Sequence, residues 1–217
     1  MDKKITTLLF DLDGTLIDTN ELIITSFLHT LEKYFPRQYQ REDVLPFLGP
    51  TLDDTFSKLN PEKVDEMCDV YRTFNKETHD SLVEEFPGVY ETMKLLKESG
   101  FKMGIVTSKM SDVAMMGMKL TKIDRFFDVL IAYDHIENPK PDPESLYKAL
   151  DVLGSRPDEA IMIGDNGSDI LAGKNAGMIT IGVAWSIKGR EYVNSFEPNY
   201  MLEHITDILP IVGVKQK

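Results

Sequence analysis

Cysteine is nearly missing from this chain. Cys68 alone occurs among 217 residues, so no internal disulfide can form and nothing points to an oxidising compartment. In Glu66-Met67-Cys68-Asp69-Val70, a helix-like stretch, it reads as a small apolar helix residue, not a nucleophile. Long apolar runs are absent as well. None approaches the ~20 residues that cross a bilayer. The short run behind Met1-Asp2-Lys3-Lys4 lacks the length and cleavage site of a signal peptide, so the expected location is cytoplasmic, with no membrane partner. Positive charge is scarce: 24 Lys and Arg stand against 36 Asp and Glu, a formal net charge of -12. That balance repels nucleic acid and anionic lipid, yet a metal ion and one or two lysines can reverse the sign locally for an anionic substrate. His29, His79, His135 and His204 are scattered without metal-ligand spacing. No Gly-Lys-Ser/Thr phosphate loop and no G-x-G-x-x-G occurs, which leaves nucleotide cofactors unsupported. There are no repeats, low-complexity tracts or flexible linkers.

What is present is a rhythm. With 42% hydrophobic and 28% charged residues the chain can bury a substantial core and solvate its outside. Short, continuously apolar runs at Thr7–Phe10, Met103–Val106, Val129–Ile131, Ala160–Ile163 and Thr180–Val183 suit parallel strands covered on both faces. Amphipathic helices lie between them: Val89–Ser99 stops at Gly100, Glu144–Leu153 at Gly154, and a helix after Asp169 near Gly177. The stretch from Tyr200 to Val214 reads as a last short strand and helix. The expected class is α/β, a Rossmann-like doubly wound parallel sheet. One interval breaks the rhythm. Residues 16–86 look wholly helical, with Leu22, Ile23, Phe27, Leu28 and Leu31 at helical spacing and Pro36, Pro46, Pro50 and Pro61 as punctuation. The expected division is a core of 1–15 and 87–217 carrying a helical insert, 16–86.

Ligands in open α/β sheets bind beyond the carboxyl ends of the strands, and those ends carry polar residues suited to one task. Strand one ends in Asp11-Leu12-Asp13-Gly14-Thr15, strand two in Thr107-Ser108-Lys109, and strand four in Gly164-Asp165-Asn166-Gly167-Ser168-Asp169, while Lys140 follows strand three in Asn138-Pro139-Lys140-Pro141-Asp142. A phosphate ester or anhydride resists attack because nucleophile and target are both negative. A magnesium ion lifts that repulsion and takes hard oxygen ligands. Asp11 and Asp165 form the natural ligand pair, with the backbone carbonyl of Asp13, while Asp169 could ligate through water or orient the others. Lys140 adds positive charge beside Asp11. Thr107 and the backbone N–H of Ser108 would donate to phosphoryl oxygens. Asp13 is then left to manage protons. Asp11 attacks in line, Asp13 protonates the leaving group, and Asp13 later deprotonates the water that hydrolyses the aspartyl-phosphate. Each piece has a duller reading: a turn for Asp-x-Asp-Gly, a solvated loop for Lys140, a helix cap for Asp165. An EF-hand loop does not fit, because Leu16 and Leu22 stand where its glycine and closing glutamate belong. Met115, Met116 and Met118 read as core or gap fillers, and Trp185 and Lys188 either border the site or serve the structure.

This ordered set resembles the four motifs of the haloacid dehalogenase-like phosphatases, and the insert resembles their C1-type cap. The resemblance spans essentially the whole chain. It implies magnesium, a Rossmann-like core and Asp11 as phosphoryl acceptor; Asp13 favours phosphoryl transfer over dehalogenation. Thr19–Ile23, Phe47–Pro50, His79–Val83, Met118–Thr121 and Gly182–Trp185 are similar to the PpaX-type inorganic pyrophosphatases, relatives of the phosphoglycolate phosphatases. Gly167-Ser168 departs from the bulkier residues expected there. The resemblance implies hydrolysis of diphosphate, with phosphoglycolate or another small phosphomonoester as the alternative substrate. A phosphomutase and a phospho-accepting signalling module rank behind these. The insert is the more acidic part, with 7 Lys and Arg against 15 Asp and Glu. Arg41, Lys58 and Lys109 are the cations expected to meet a distal phosphate.

Overall fold

The computed structural model describes residues 4–215; the Met1-Asp2-Lys3 start, weighed above against a signal peptide, lies outside them. The strands are β1 (Thr7–Phe10), β2 (Ile17–Asp18), β3 (Glu84–Glu85), β4 (Lys102–Val106), β5 (Val129–Ile131), β6 (Ala160–Gly164), β7 (Ile179–Val183) and β8 (Tyr200–Leu202). The helices are α1 (Asn20–Tyr34), α2 (Arg41–Val44), α3 (Leu52–Leu59), α4 (Val64–Leu82), α5 (Val89–Glu98), α6 (Ser111–Leu120), α7 (Glu144–Leu153), α8 (Gly167–Asn175), α9 (Arg190–Asn194) and α10 (Ile208–Ile211). The chain packs as two units, Met1–Ile17 with Glu85–Lys217, and Asp18–Glu84. Among the described residues no helix is long and apolar enough to cross a membrane.

The larger unit is the expected α/β sheet: six strands in the order β5-β4-β1-β6-β7-β8, every neighbouring pair parallel. Its central strands are almost entirely apolar because helices cover the sheet; Leu8, Leu9 and Phe10 are fully buried. Leu9 lies opposite Gly104 on one side and Met162 on the other. A side chain at Gly104 would come within 2.9 Å of Leu9 Cδ2 and 2.8 Å of Val129 Cγ1, so the missing Cβ lets β4 seat against both. The connections run to β4 on one side of β1 and to β6 on the other. The switch point of the sheet, where such folds bind ligands, is therefore the carboxyl end of β1. Gly154 ends α7 in the left-handed conformation, φ 58° and ψ 47°, where glycine escapes the Cβ clash.

The smaller unit is built on α1 against α4, with α3 packed on α4. Phe27 is its hub, its ring centroid 5.7 Å from that of Phe56 and 4.8 Å from that of Tyr71. Cys68, 1% exposed, is an apolar helix residue there, and burial pushes its thiol up to about 11, so it stays protonated.

Two sequence expectations need correction. The 16–86 segment is not wholly helical: Ile17–Asp18 and Glu84–Glu85 form a two-stranded sheet, which two exposed glutamates and a two-residue length made invisible to periodicity. The helix expected after Asp169 starts two residues before it, at Gly167, so Asp169 stands in the first turn, where a carboxylate can accept from free backbone N–H groups.

Candidate active site

Strand β1 delivers Asp11. Its N–H continues the parallel ladder to Ile163 O at 2.9 Å, and the backbone then turns sharply, with Leu16 and Ile17 N–H both reaching Leu12 O and Gly14 N–H reaching Ile17 O. Gly14 sits at φ +77°, and a Cβ there would lie 2.6 Å from Asp165 Oδ2. Glycine thus serves both the turn and the approach of β6's carboxylate. Thr15 Oγ1 donates to Asp165 Oδ1 at 3.4 Å, and Ser186 Oγ, just past β7, donates to Asp165 Oδ2 at 3.4 Å. These two hydroxyls are the only hydrogen-bond partners of Asp165 among the described residues.

Lys140 is almost sealed, its side chain 3% exposed. Its ammonium donates to Asp11 Oδ1 at 2.7 Å, Asp169 Oδ1 at 2.6 Å and Val106 O at 2.9 Å, which engages all three of its protons. Asp169 is equally committed: its Oδ2 accepts from Asn166 N–H at 3.0 Å. Asp11 Oδ2, by contrast, makes no hydrogen bond among the described residues. Asp169 can turn back in this way because position 164 is glycine: a Cβ there would stand 2.3 Å from Asp169 Cβ and 2.4 Å from its Oδ2. Gly164→Ala is expected to cost about 1–3 kcal/mol and to weaken divalent-cation binding, checked by melting and by calorimetric titration; unchanged affinity would count against this geometry.

Asp11, Asp165 and Asp169 bring one carboxylate oxygen each within 4.8 Å of one another, all three buried. Three carboxylates crowd around the Lys140 ammonium; Lys188 also draws on Asp165 and Asp169 but makes no ion pair with Asp165 among the described residues. Burial and the neighbouring Asp169 and Asp13 carboxylates, against the pull of Lys140, push Asp11 up to about 7. Burial and the Asp11 and Asp169 charges hold Asp165 well above the usual range. Burial works against the Lys140 ammonium, but Asp11 and Asp169 raise it nonetheless. Excess buried negative charge borne on oxygen donors fits a hard divalent cation.

This has a measurable sign. From pH about 4 to about 7 the folded, metal-free protein keeps a proton on Asp11 that the unfolded chain has lost. Stability from this group therefore falls as pH rises through that window, and Asp165 adds in the same direction. A divalent cation favours the ionised carboxylates. The melting-temperature gap between cation-loaded and chelated protein is expected to widen from pH 5 to pH 7.5, and a constant gap would contradict the charge imbalance.

Around this cluster the other expected residues fall as follows. Thr107 Oγ1 accepts from Lys109 N–H at 3.2 Å, so its own O–H remains available to donate. Ser108 N–H makes no hydrogen bond among the described residues. Asp13 does not join the carboxylate group; it pairs with Lys109 Nζ at 2.5 Å. Arg41 is held by Glu21 on the surface of the smaller unit. Beyond these, Tyr192 O–H meets Asn166 Oδ1 at 3.2 Å, Lys188 Nζ sits over the Tyr192 ring at 4.9 Å, and the Phe196 ring occupies the space a Cβ would take at Gly167, 2.3 Å from where it would stand. Sequence reasoning did not single out Thr15 or Ser186 as partners of Asp165, because a lone hydroxyl carries no spacing signal.

Comparison with known proteins bears on the same residues. The family model for haloacid dehalogenase-like hydrolases matches residues 8–183. The chain is 58% identical over 214 residues to pyrophosphatase PpaX of Bacillus velezensis, covering 99% of each. It is 56% identical over 210 residues to pyrophosphatase PpaX of Bacillus cereus, covering 97% of each. A haloacid dehalogenase-like family hydrolase from Streptococcus pneumoniae superposes with a TM-score of 0.85 at 25% identity, over 95% of this chain and 98% of its own. The matched segment runs from β1 to β7 and so contains every residue of the buried carboxylate and lysine cluster: the chain belongs to the haloacid dehalogenase-like hydrolases and is a hydrolase.

Proposed function

We propose that the chain is a magnesium-dependent inorganic pyrophosphatase that splits diphosphate by way of a phosphoryl group on Asp11. Near-full-length identity of 56–58% to two PpaX pyrophosphatases supports the substrate. The observation that carries the chemistry is a free carboxylate oxygen on Asp11 inside a buried cluster with too little positive charge.

Asp11 and Asp165 would hold the magnesium ion, which neutralises phosphoryl oxygens and so lowers the repulsion between the two anions. Lys140 pulls Asp11 toward its ionised form against burial and fixes Oδ1, which leaves Oδ2 to face the phosphorus. With all its protons engaged, Lys140 acts through charge and positioning. Asp169 holds Lys140 and the start of α8 in place. Oδ2 forms the new P–O bond as the bridging P–O bond breaks, and Asp13 gives its proton to the departing phosphate. Asp13 then takes a proton from water, the water oxygen bonds to phosphorus, and the acyl phosphate P–O bond breaks to restore Asp11. Thr107 O–H and Ser108 N–H are donors for the equatorial oxygens as charge develops on them. Lys109, paired with Asp13, is suited to the leaving phosphate. Residues 16–86 would serve as the cap.

The test is a phosphate-release comparison with magnesium, measuring kcat/KM for diphosphate, phosphoglycolate, sugar phosphates and an aryl phosphate. Diphosphate is expected to lead by at least ~10-fold, a transition-state difference of about 1.4 kcal/mol. A phosphomonoester in first place would replace this substrate while leaving the Asp11 chemistry standing.

A further inference from the structure

We propose that Trp185 is a positioning residue that ties cation loading at Asp165 to the two points where the chain leaves and re-enters the sheet unit; the inference rests on the metal reading above. Trp185 Nε1–H donates to Thr15 O at 3.3 Å. Thr15 is fully buried, lies two residues before β2, and donates through Oγ1 to Asp165 Oδ1 at 3.4 Å. On the return path, the Trp185 ring packs against Phe86, the residue that follows β3, with centroids 6.1 Å apart and planes at 55°. The next residue after Trp185 is Ser186, whose hydroxyl donates to Asp165 Oδ2 at 3.4 Å. Each oxygen of Asp165 is thus touched by a hydroxyl that sits one step from the indole.

Two features argue that the indole does more than fill space. Trp185 is partly buried and aims its N–H at a backbone carbonyl, a directed polar contact that filling space does not require. Both hydroxyl contacts to Asp165 are at the long end of hydrogen bonding, where a shift of a few tenths of an ångström makes or breaks them. Among the described residues no cation makes a direct ion pair with Asp165, although Lys140 and Lys188 act on it electrostatically. An ion that takes this carboxylate moves it against Thr15 and Ser186 together, and through them against Trp185. By reciprocity, whatever holds Trp185 feeds back on the affinity for the ion.

Trp185 is the only tryptophan, so its emission reports this position alone. The experiment is titration of the substrate-free protein with Mg2+, followed in parallel by calorimetry and by tryptophan emission. Emission is expected to change and saturate at the calorimetric Kd, and to stay flat in Asp165→Asn. Thr15→Val, which keeps the shape and removes the hydroxyl, should at least halve the emission change while calorimetric binding persists. Trp185→Phe, which keeps a ring against Phe86, should weaken Mg2+ by roughly 3- to 10-fold, the worth of one hydrogen bond. An unmoved indole in protein that calorimetry shows to be loaded overturns the coupling, as does an unchanged Kd in Trp185→Phe or a full emission change in Thr15→Val. Absence of any heat of binding would remove the metal reading itself, and the coupling with it.

Discussion

Asp11→Asn is expected to lower kcat for diphosphate by about four to six orders of magnitude without lowering the melting temperature of the chelated protein. The two halves of that result have one cause. The asparagine side chain has the size of aspartate and can still accept from Lys140, so the hydrogen bond at 2.7 Å has a partner. It carries no charge, so one of the three crowded carboxylates disappears and the burial that pushes Asp11 up to about 7 no longer costs anything. The amide cannot form the acyl phosphate. Loss of function with equal or better stability marks a residue kept for chemistry at the expense of the fold. Phosphate release within ten-fold of the parent would exclude the covalent route, and a marked fall in melting temperature would mean that the cluster is less overcharged than its geometry requires.

Lys140→Met has the opposite signature. Methionine fills the volume but leaves Asp11 Oδ1, Asp169 Oδ1 and Val106 O without their shared donor. Removing one member of a buried charged set costs about 3–5 kcal/mol, and proton uptake by the carboxylates recovers part of it. Because the ammonium also draws Asp11 toward its ionised form, kcat should fall by about 10²–10³-fold, the range for removal of one electrostatic contact in a transition state. Magnesium should restore more of the stability than of the rate, since an added ion can offset charge but cannot re-orient Oδ1. Melting temperature and kcat recovered in parallel would argue that Lys140 supplies charge alone.

Much of this was legible in the chain itself. Parallel strands covered by helices are continuously apolar, so Thr7–Phe10 and Ala160–Ile163 could be read directly. The switch-point rule then put Asp11, Thr107 and Asp165 at one end of the sheet. Gly154 and Gly100 marked helix stops because both need positive φ. What escaped notice was short or shared. Glu84–Glu85 is two exposed residues with no alternation to detect, and α9 spans only five. The start of α8 is hidden in the sequence because Gly167 and Ser168 are poor helix formers, and only the acceptor on Asp169 shows that the helix has already begun. The Lys109 pairing with Asp13 depends on how two loops meet, which spacing along the chain does not encode.

The ring of Phe196 stands where any side chain at position 167 would have to go, and it meets the Tyr192 ring edge-on at 5.2 Å. Descendants of this chain are therefore not free to vary the two positions separately. A lineage that gains bulk at 167 has to move or shrink the ring at 196, so the two positions are expected to change together.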